Sequence, residues 1–143
     1  MLFVGGPVNE EPGWRGFALP RLLKIFSPLV ASIILGFIWA LWHGPLHFNG
    51  FYGNGLQGFL LRFLFKVPVS ILFTWIWIKT EGSLLMVVFL HTCINTDGLF
   101  FPISSLSFMI IAIGFIISLV VLVIINRMWR RRSIPTNSLN VKI

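Results

Sequence analysis

The sequence predicts an all-α membrane protein, a polytopic bundle of about four transmembrane spans with an N-terminal interfacial amphipathic helix. Its 143 residues are 57% hydrophobic and only 10% charged, whereas charged residues make up about a quarter of an ordinary soluble domain. The charges are also unevenly placed, because none occurs from Phe26 to Leu61 and Asp97 is the only one from Gly82 to Asn126. A transmembrane helix needs about 20 apolar residues, so we expect these two regions to hold three of the crossings.

The N-terminal part is predicted to supply the amphipathic helix and the first span. Residues 15–26 carry Arg21 and Lys24 among apolar residues, a pattern that suits a helix lying at the lipid headgroups. The first span runs from about Ser27 to Phe48. Gly44-Pro45 lies inside it and predicts a kink or an end of the helix just after His43.

The middle of the chain is predicted to hold a loop and two more spans. Residues 49–58 are uncharged and contain four glycines, which is typical of a loop. The second span covers about residues 58–78, and the third covers about 84–97. Arg62 and Lys66 lie near the start of the second span, where they either extend to the interface or face the protein interior.

The C-terminal part is predicted to contain the last span, about residues 105–126, followed by a basic tail, residues 127–143. Asp97-Gly98 is expected to interrupt the third span, and residues 79–83 are expected to form a polar turn. The whole chain, residues 1–143, then forms a single membrane domain.

A cluster of arginines at 127, 130, 131 and 132 supplies much of the formal net charge of +7. Because the cluster adjoins a hydrophobic span, it indicates a cytoplasmic anchor at anionic lipid and no nucleic-acid partner. With four crossings, the same rule puts the N-terminal motif and the turn at Lys79 on the cytoplasmic side. We therefore expect a multi-pass protein of the cell membrane with a cytoplasmic C-terminus.

The most informative stretch is Glu10-Glu11-Pro12-Gly13-Trp14-Arg15. The chain has only four acidic residues, so two of them side by side next to apolar sequence require a reason. On a helical turn Glu11 and Arg15 stand at i,i+4 and can pair, while Glu10 points about 100° away. Two neighbouring carboxylates in a poorly hydrated site do not both ionise easily, which suits one of them to act as a general base. A solvated loop with an ordinary surface salt bridge is the alternative.

Two further polar pairs are spaced one helical turn apart within apolar sequence. Trp39 can place its ring against His43, and His91 and Asn95 present an imidazole and an amide from one helix face. Such groups at membrane depth are functional candidates, because burying them without a partner costs roughly several kcal/mol. His47 precedes a glycine-rich loop and is expected to be a core residue.

Together these groups suit hydrolysis by an activated water. Glu10, helped by His43, could hold and deprotonate a water that attacks a carbonyl carbon, and His91 and Asn95 could donate to the oxyanion. The single cysteine, Cys93, is excluded as a nucleophile beside His91, because residues at i,i+2 point about 200° apart on a helix.

Other interpretations stay open. Glu10, His43 and His91 could supply a zinc ligand set, so zinc is a possible cofactor. Asn95 could instead bond a neighbouring helix, as polar residues in membrane bundles do. The buried groups could also form a proton or ion pathway.

Three motifs in this order resemble those of the CPBP family of intramembrane proteases, also called the Abi or CAAX protease and bacteriocin-processing family. The family motifs are Glu-Glu-x-x-x-Arg, Phe-x-x-x-His and His-x-x-x-Asn or Asp, and they match the sequences that begin at Glu10, Trp39 and His91. The resemblance covers about residues 5–100.

The resemblance implies a helical membrane endopeptidase that acts on prenylated CAAX proteins or bacteriocin-like peptides. Some family members serve in self-immunity or as scaffolds, so the alternative is a non-catalytic membrane immunity or scaffold protein of the same fold, which binds a peptide or partner. Carried over, Glu10 and His43 position water, His91 and Asn95 form the oxyanion site, and Glu11 and Arg15 are the supporting ion pair. The expected partners are a peptide or membrane-protein substrate and the lipid bilayer. The residues fit both a metal-free and a metal-dependent version of the reaction.

Two departures from the family pattern stand out. Trp39 occupies the position of the phenylalanine in the second motif, an aromatic change that we expect to be tolerated. Family members usually have at least one span before the first motif, whereas nine residues precede Glu10 here. The resemblance therefore implies an N-terminally shortened member.

Overall fold

The computed structural model describes residues 6–49, 55–100 and 105–131, which form helices joined by short turns. The N-terminal segment consists of α1 (Pro7–Glu11), a π-helical turn (Pro12–Ala18) and α2 (Leu19–Ile25). The other helices are α3 (Pro28–Trp42), α4 (Gly44–Phe48), α5 (Gly55–Lys79), α6 (Leu84–Phe100) and α7 (Ser105–Ile125). No strand occurs within the described ranges, and the predicted all-α fold class is confirmed.

Apolar helices occupy all the predicted spans. Two stretches, Pro28–Phe48 and Gly55–Lys79, are long and apolar enough to cross a membrane. The apolar helices Leu84–Thr96 and Met109–Ile125 are shorter. By length and composition, the described residues therefore contain two candidate spans and two shorter apolar helices.

Two boundaries differ from the prediction. Helix α5 begins at Gly55 rather than Gly58, and residues 50–54 of the predicted loop lie outside the described residues. The predicted interruption at Asp97-Gly98 is wrong, because α6 continues to Phe100. A single glycine costs a helix only about 1 kcal/mol relative to alanine, which neighbouring helical residues can offset. The break at Gly44-Pro45 is confirmed, since α3 ends before His43 and α4 starts after it.

A glycine allows α3 and α5 to pack closely. A Cβ atom at Gly36 would lie 2.9 Å from both the Val67 Cα and the Ser70 Cβ atoms. Real Cβ atoms essentially never approach this closely, so a larger residue would push the two helices apart. The close contact brings Lys66 and Ser70 of α5 beside the residues of α3 that follow Gly36.

The N-terminal segment packs against α3 as an antiparallel helical hairpin. Leu19 and Leu23 are buried in the same hydrophobic cluster as Ala31 and Leu35. Arg21 and Lys24 are exposed on the opposite face, so the predicted amphipathic character is confirmed. Because the chain reverses at Phe26-Ser27, the antiparallel hairpin places α1 beside the C-terminal end of α3.

The end of α7 contacts the beginning of α3. The backbone N–H of Leu29 donates to the Met128 carbonyl at 3.0 Å, and the Arg131 guanidinium donates to the Ile25 carbonyl. Met128 is buried with Leu119 and Ile71 in a second hydrophobic cluster. The last basic residues that the structure describes thus lie at the same end of the bundle as the α2–α3 turn.

Candidate active site

A buried ion pair lies at the centre of the N-terminal motif. Glu11 and Arg15 are both completely buried, and Arg15 Nη1 donates to Glu11 Oε1 at 3.1 Å. Arg15 Nη2 donates to Ser70 Oγ at 3.4 Å. The guanidinium carbon lies 4.6 Å from the ring centre of Trp39 and 4.8 Å from that of Phe73. The predicted i,i+4 pair is confirmed, and it is part of the core rather than of a solvated loop.

Burial also changes the acid–base behaviour of Arg15, which lies before the first candidate span. Removal from water lowers the pKa of its guanidinium, and the Glu11 carboxylate opposes this by raising it. The carboxylate thus makes it less costly to keep a cation inside the bundle.

Glu11 has a second partner, which comes from α6. His91 Nδ1 lies 2.7 Å from the same Glu11 Oε1 atom. Since an ionised carboxylate can only accept, Nδ1 carries the hydrogen, and Nε2 is the nitrogen left for a substrate. The two residues are 80 positions apart, so no local sequence pattern signals this contact. Glu11 therefore ties His91 to the N-terminal segment.

Glu10 points to a different neighbour. Its Oε2 atom accepts a hydrogen bond of 2.8 Å from the Trp39 indole Nε1, and its side chain is half-buried. The prediction that Glu10 and Glu11 face different surroundings is therefore confirmed. Glu11 has two partners in the closed interior, whereas one oxygen of Glu10 is bound to an indole.

A π-helical turn follows the two glutamates directly. The N–H of Leu19 donates to the Trp14 carbonyl, five residues back rather than four. Pro12 and Pro20 flank the change in hydrogen bonding, and neither has a backbone N–H to donate. Such short π-helical turns occur often at functional sites, and this one carries Arg15.

The end of α3 determines how His43 is held. The backbone N–H of His43 donates to the Ala40 carbonyl at 3.2 Å, and the Trp39 carbonyl lies 2.8 Å from His43 Nδ1. Because a carbonyl oxygen only accepts, Nδ1 must be the protonated nitrogen. In a neutral imidazole this leaves Nε2 as an acceptor. The helix end predicted from Gly44-Pro45 therefore orients the imidazole.

Lys66 belongs to the interior of the bundle. Its ammonium lies 3.4 Å from His43 Nε2 and 3.5 Å from the centre of the Trp39 ring. Of the two placements that the sequence left open, the inward one is correct for Lys66. The side chain of Arg62 lies outside the described residues.

Three of the four predicted catalytic residues gather around one buried tryptophan. Trp39 is 1% exposed; it bonds Glu10, and its ring centre lies 5.8 Å from that of His43 and 5.2 Å from that of His91. The ring of Phe73 also packs against His91, with the two ring centres 5.5 Å apart. The arrangement places a carboxylate and two imidazoles beside the same aromatic ring.

Asn95 and His47 lie outside the group around Trp39. Asn95 is one turn beyond His91 on α6, and its side chain is exposed, so it is not part of this buried group. His47 is buried in α4 and packs edge-on against Phe59, with ring centres 6.1 Å apart. This agrees with the prediction that His47 is a core residue.

The suggested zinc ligands are bonded to other groups in this arrangement, and zinc binding stays a prediction. Among the residues that the structure describes, no three His, Cys, Asp or Glu side chains are close enough to hold a metal ion. The Nδ1 atoms of His43 and His91 are bound to the Trp39 carbonyl and to Glu11. The Lys66 ammonium beside His43 Nε2 would also repel a second cation.

The comparisons with known proteins agree with the motifs. A family model described as Type II CAAX prenyl endopeptidase Rce1-like matches residues 1–96, which include Glu10, Trp39, His43 and His91. The chain belongs to this family. Its members are embedded in membranes, as the apolar helices suggest.

Among curated proteins, this Rce1-like chain is similar to CAAX prenyl protease 2 of Methanococcus maripaludis. The two are 35% identical over 94 residues, which cover 62% of this chain and 35% of the relative. The chain therefore spans about a third of the length of the curated relative that it matches. No solved structure gives a significant match.

Proposed function

We propose that this chain is a CAAX-type intramembrane endopeptidase in a multi-pass membrane domain, acting on a prenylated peptide or membrane protein. The observation that supports this best is the placement of Glu10, His43 and His91 around Trp39. The family match and the name of the curated relative support the substrate class.

In the proposed reaction, the oxygen of Glu10 that is not bound to Trp39 accepts a proton from a water. His43 Nε2 accepts from the Lys66 ammonium at 3.4 Å in the free protein; in the reaction the ammonium turns away, and Nε2 accepts from this water as its oxygen attacks the carbonyl carbon. His91, protonated on both ring nitrogens, keeps its bond to Glu11 through Nδ1 and donates from Nε2 to the oxyanion of the tetrahedral intermediate, and Asn95 donates to the same oxyanion. When the C–N bond breaks, the proton on Glu10 passes to the leaving amine, and Glu10 is ionised again.

Glu11 and Arg15 act through other residues in this mechanism. Glu11 holds His91 by Nδ1, and Arg15 keeps Glu11 in place. Arg15 is itself fixed by Ser70 and by the rings of Trp39 and Phe73. The buried ion pair is therefore the support on which the histidine of the third motif depends.

We infer that the end of the bundle at the α2–α3 turn is cytoplasmic. Exposed basic residues collect there, because Arg131 bonds Ile25 while Arg21 and Lys24 lie on the adjoining helix. Cytoplasmic loops carry an excess of Lys and Arg, so this end is the better match for the inner face. The C-terminus of α7 is then on the cytoplasmic side. Glu10 bonds Trp39 near the other end of α3, so this orientation places it away from the cytoplasmic end, unlike the expectation from counting basic residues.

The function is tested with the full chain in lipid vesicles. A prenylated peptide ending in a CAAX sequence is compared with the same peptide carrying an unmodified cysteine, and with a bacteriocin-type precursor peptide. We expect cleavage of the prenylated peptide only, detected by mass spectrometry. Cleavage of the bacteriocin precursor alone would change the substrate class. Binding of the prenylated peptide without cleavage would favour a non-catalytic scaffold.

A further inference from the structure

We propose that the indole N–H of Trp39 is a positioning group that aims the Glu10 carboxylate at the reacting water. This inference rests on the proposed function, because it concerns the residue assigned as general base. In the family motif a phenylalanine occupies the position of Trp39, so the sequence alone indicates an exchange of one aromatic ring for another. The structure shows that the ring has an additional hydrogen bond, which phenylalanine cannot make.

The hydrogen bond is suited to fixing a flexible side chain. Glu10 has three rotatable side-chain bonds and is only half-buried, so its carboxylate is not held by close packing. Trp39 is almost completely buried, and its Nε1 reaches Glu10 Oε2 at 2.8 Å, a short distance typical of a charge-assisted bond. A rigid donor thus holds one oxygen and leaves the other for water.

The same residue also fixes His43. Its main-chain carbonyl accepts from His43 Nδ1 at 2.8 Å, while its indole donates to Glu10. The two groups proposed to hold water are therefore both bonded to one residue. Misplacement of reacting groups by about 1 Å can cost about a hundredfold in rate, so a common anchor has a direct kinetic consequence.

The indole itself is firmly held. Its ring centre lies 3.5 Å from the Lys66 ammonium and 4.6 Å from the Arg15 guanidinium carbon. The ring also packs on Phe73 at 5.9 Å. Contacts from α5 and from the N-terminal segment thus restrict the direction of the N–H before any substrate binds.

The chain contains a matched control in Trp77. This residue is also 1% exposed and belongs to the same hydrophobic cluster, but its Nε1 has no hydrogen-bond partner among the described residues. Trp39→Phe and Trp77→Phe remove the same atoms from similarly buried sites. Only Trp39→Phe removes a bond to Glu10.

The kinetic experiment uses the full chain in vesicles with the prenylated peptide. Trp39→Phe is expected to lower kcat by about 10- to 100-fold with little change in KM, because it removes a bond to a charged group. Trp77→Phe is expected to keep kcat close to that of the wild type. Benzothienylalanine at position 39, which replaces the indole N–H by sulfur and keeps the ring size, should match Trp39→Phe. This analogue decides the test if Trp39→Phe does not fold.

An NMR experiment on the indole N–H groups separates this inference from the proposed function. Glu10→Ala should shift the Trp39 indole resonance and leave the Trp77 resonance in place. An active wild-type chain with unchanged kcat in the sulfur analogue would overturn the positioning role alone. An unshifted Trp39 resonance would overturn the hydrogen bond itself. A wild-type chain that cleaves none of the peptides would overturn the proposed function, and the positioning role with it.

Discussion

Replacing Glu11 by alanine distinguishes the structural role of this glutamate from the role of its neighbour Glu10. Glu11 Oε1 accepts from both Arg15 Nη1 and His91 Nδ1, and all three side chains are at most 2% exposed. Glu11→Ala leaves a buried guanidinium without its carboxylate and a buried imidazole without its acceptor. We therefore expect a severe loss of stability together with loss of activity.

The expected size follows from these contacts. Hydrogen bonds to charged groups contribute about 1.5–3 kcal/mol each, and breaking a buried ion pair by removing one partner costs about 3–5 kcal/mol. We take about 3–5 kcal/mol for Glu11→Ala, since the two figures describe the same bonds. For a chain of this size, about 2–4 °C of Tm per kcal/mol gives a decrease of about 10 °C.

The matched control is Glu10→Ala. Glu10 is half-buried and its described hydrogen bond is to Trp39, so its loss should lower the stability by about 1.5–3 kcal/mol, less than the loss expected for Glu11→Ala. Tryptophan fluorescence in detergent micelles follows thermal unfolding of both variants and of the wild type. Glu11→Gln adds a further comparison, since it keeps an acceptor oxygen but loses the charge.

If Glu11→Ala unfolds within about 2 °C of the wild type, or at a higher temperature than Glu10→Ala, the buried ion pair does not support the fold. Glu11 could then not be the residue that holds His91.

Three further predictions follow from the contacts. Arg15→Lys should lower the stability by about 1–3 kcal/mol in the same unfolding assay, because an ammonium cannot bond Glu11 and Ser70 in the same fork geometry; an unchanged Tm would contradict this. Gly36→Ala should lower the stability by about 1–3 kcal/mol, because the added Cβ atom would press against α5. The exposed Gly114→Ala, whose Cβ atom meets no neighbour within 4 Å, should leave the stability unchanged or raise it by up to about 1 kcal/mol. Equal Tm changes in the two variants would argue against close packing of α3 and α5. Treatment with a zinc chelator should leave peptide cleavage unchanged, and a loss that added zinc restores would show that the site binds metal.

Local features of the site were predictable from the sequence, because they depend on helical spacing. The pairing of Glu11 with Arg15 follows from i,i+4 spacing, and the end of α3 follows from Gly44-Pro45. The continuation of α6 through Gly98 was not predictable in this way, since one glycine is a weak signal against a helix.

Contacts between distant parts of the chain could not be derived from spacing. Glu11 and His91 are 80 residues apart, and Lys66 of α5 reaches His43 from the helix that packs closely on α3 at Gly36. The substitution of Trp39 for phenylalanine was visible in the sequence, but the Glu10 bond that it makes depends on the direction of the indole. Burial of Arg15 was likewise hidden, because its neighbours Ser70 and Phe73 come from α5.

The most direct test of the proposed mechanism is the rate at which Glu10→Gln cleaves the prenylated peptide in vesicles, at equal membrane insertion. The side chain keeps its size and an oxygen that can accept from Trp39, but it can no longer take a proton from water. We predict that cleavage falls to the background rate while the chain unfolds at close to the wild-type temperature. Cleavage by Glu10→Gln at the wild-type rate would contradict the assignment of Glu10 as the general base.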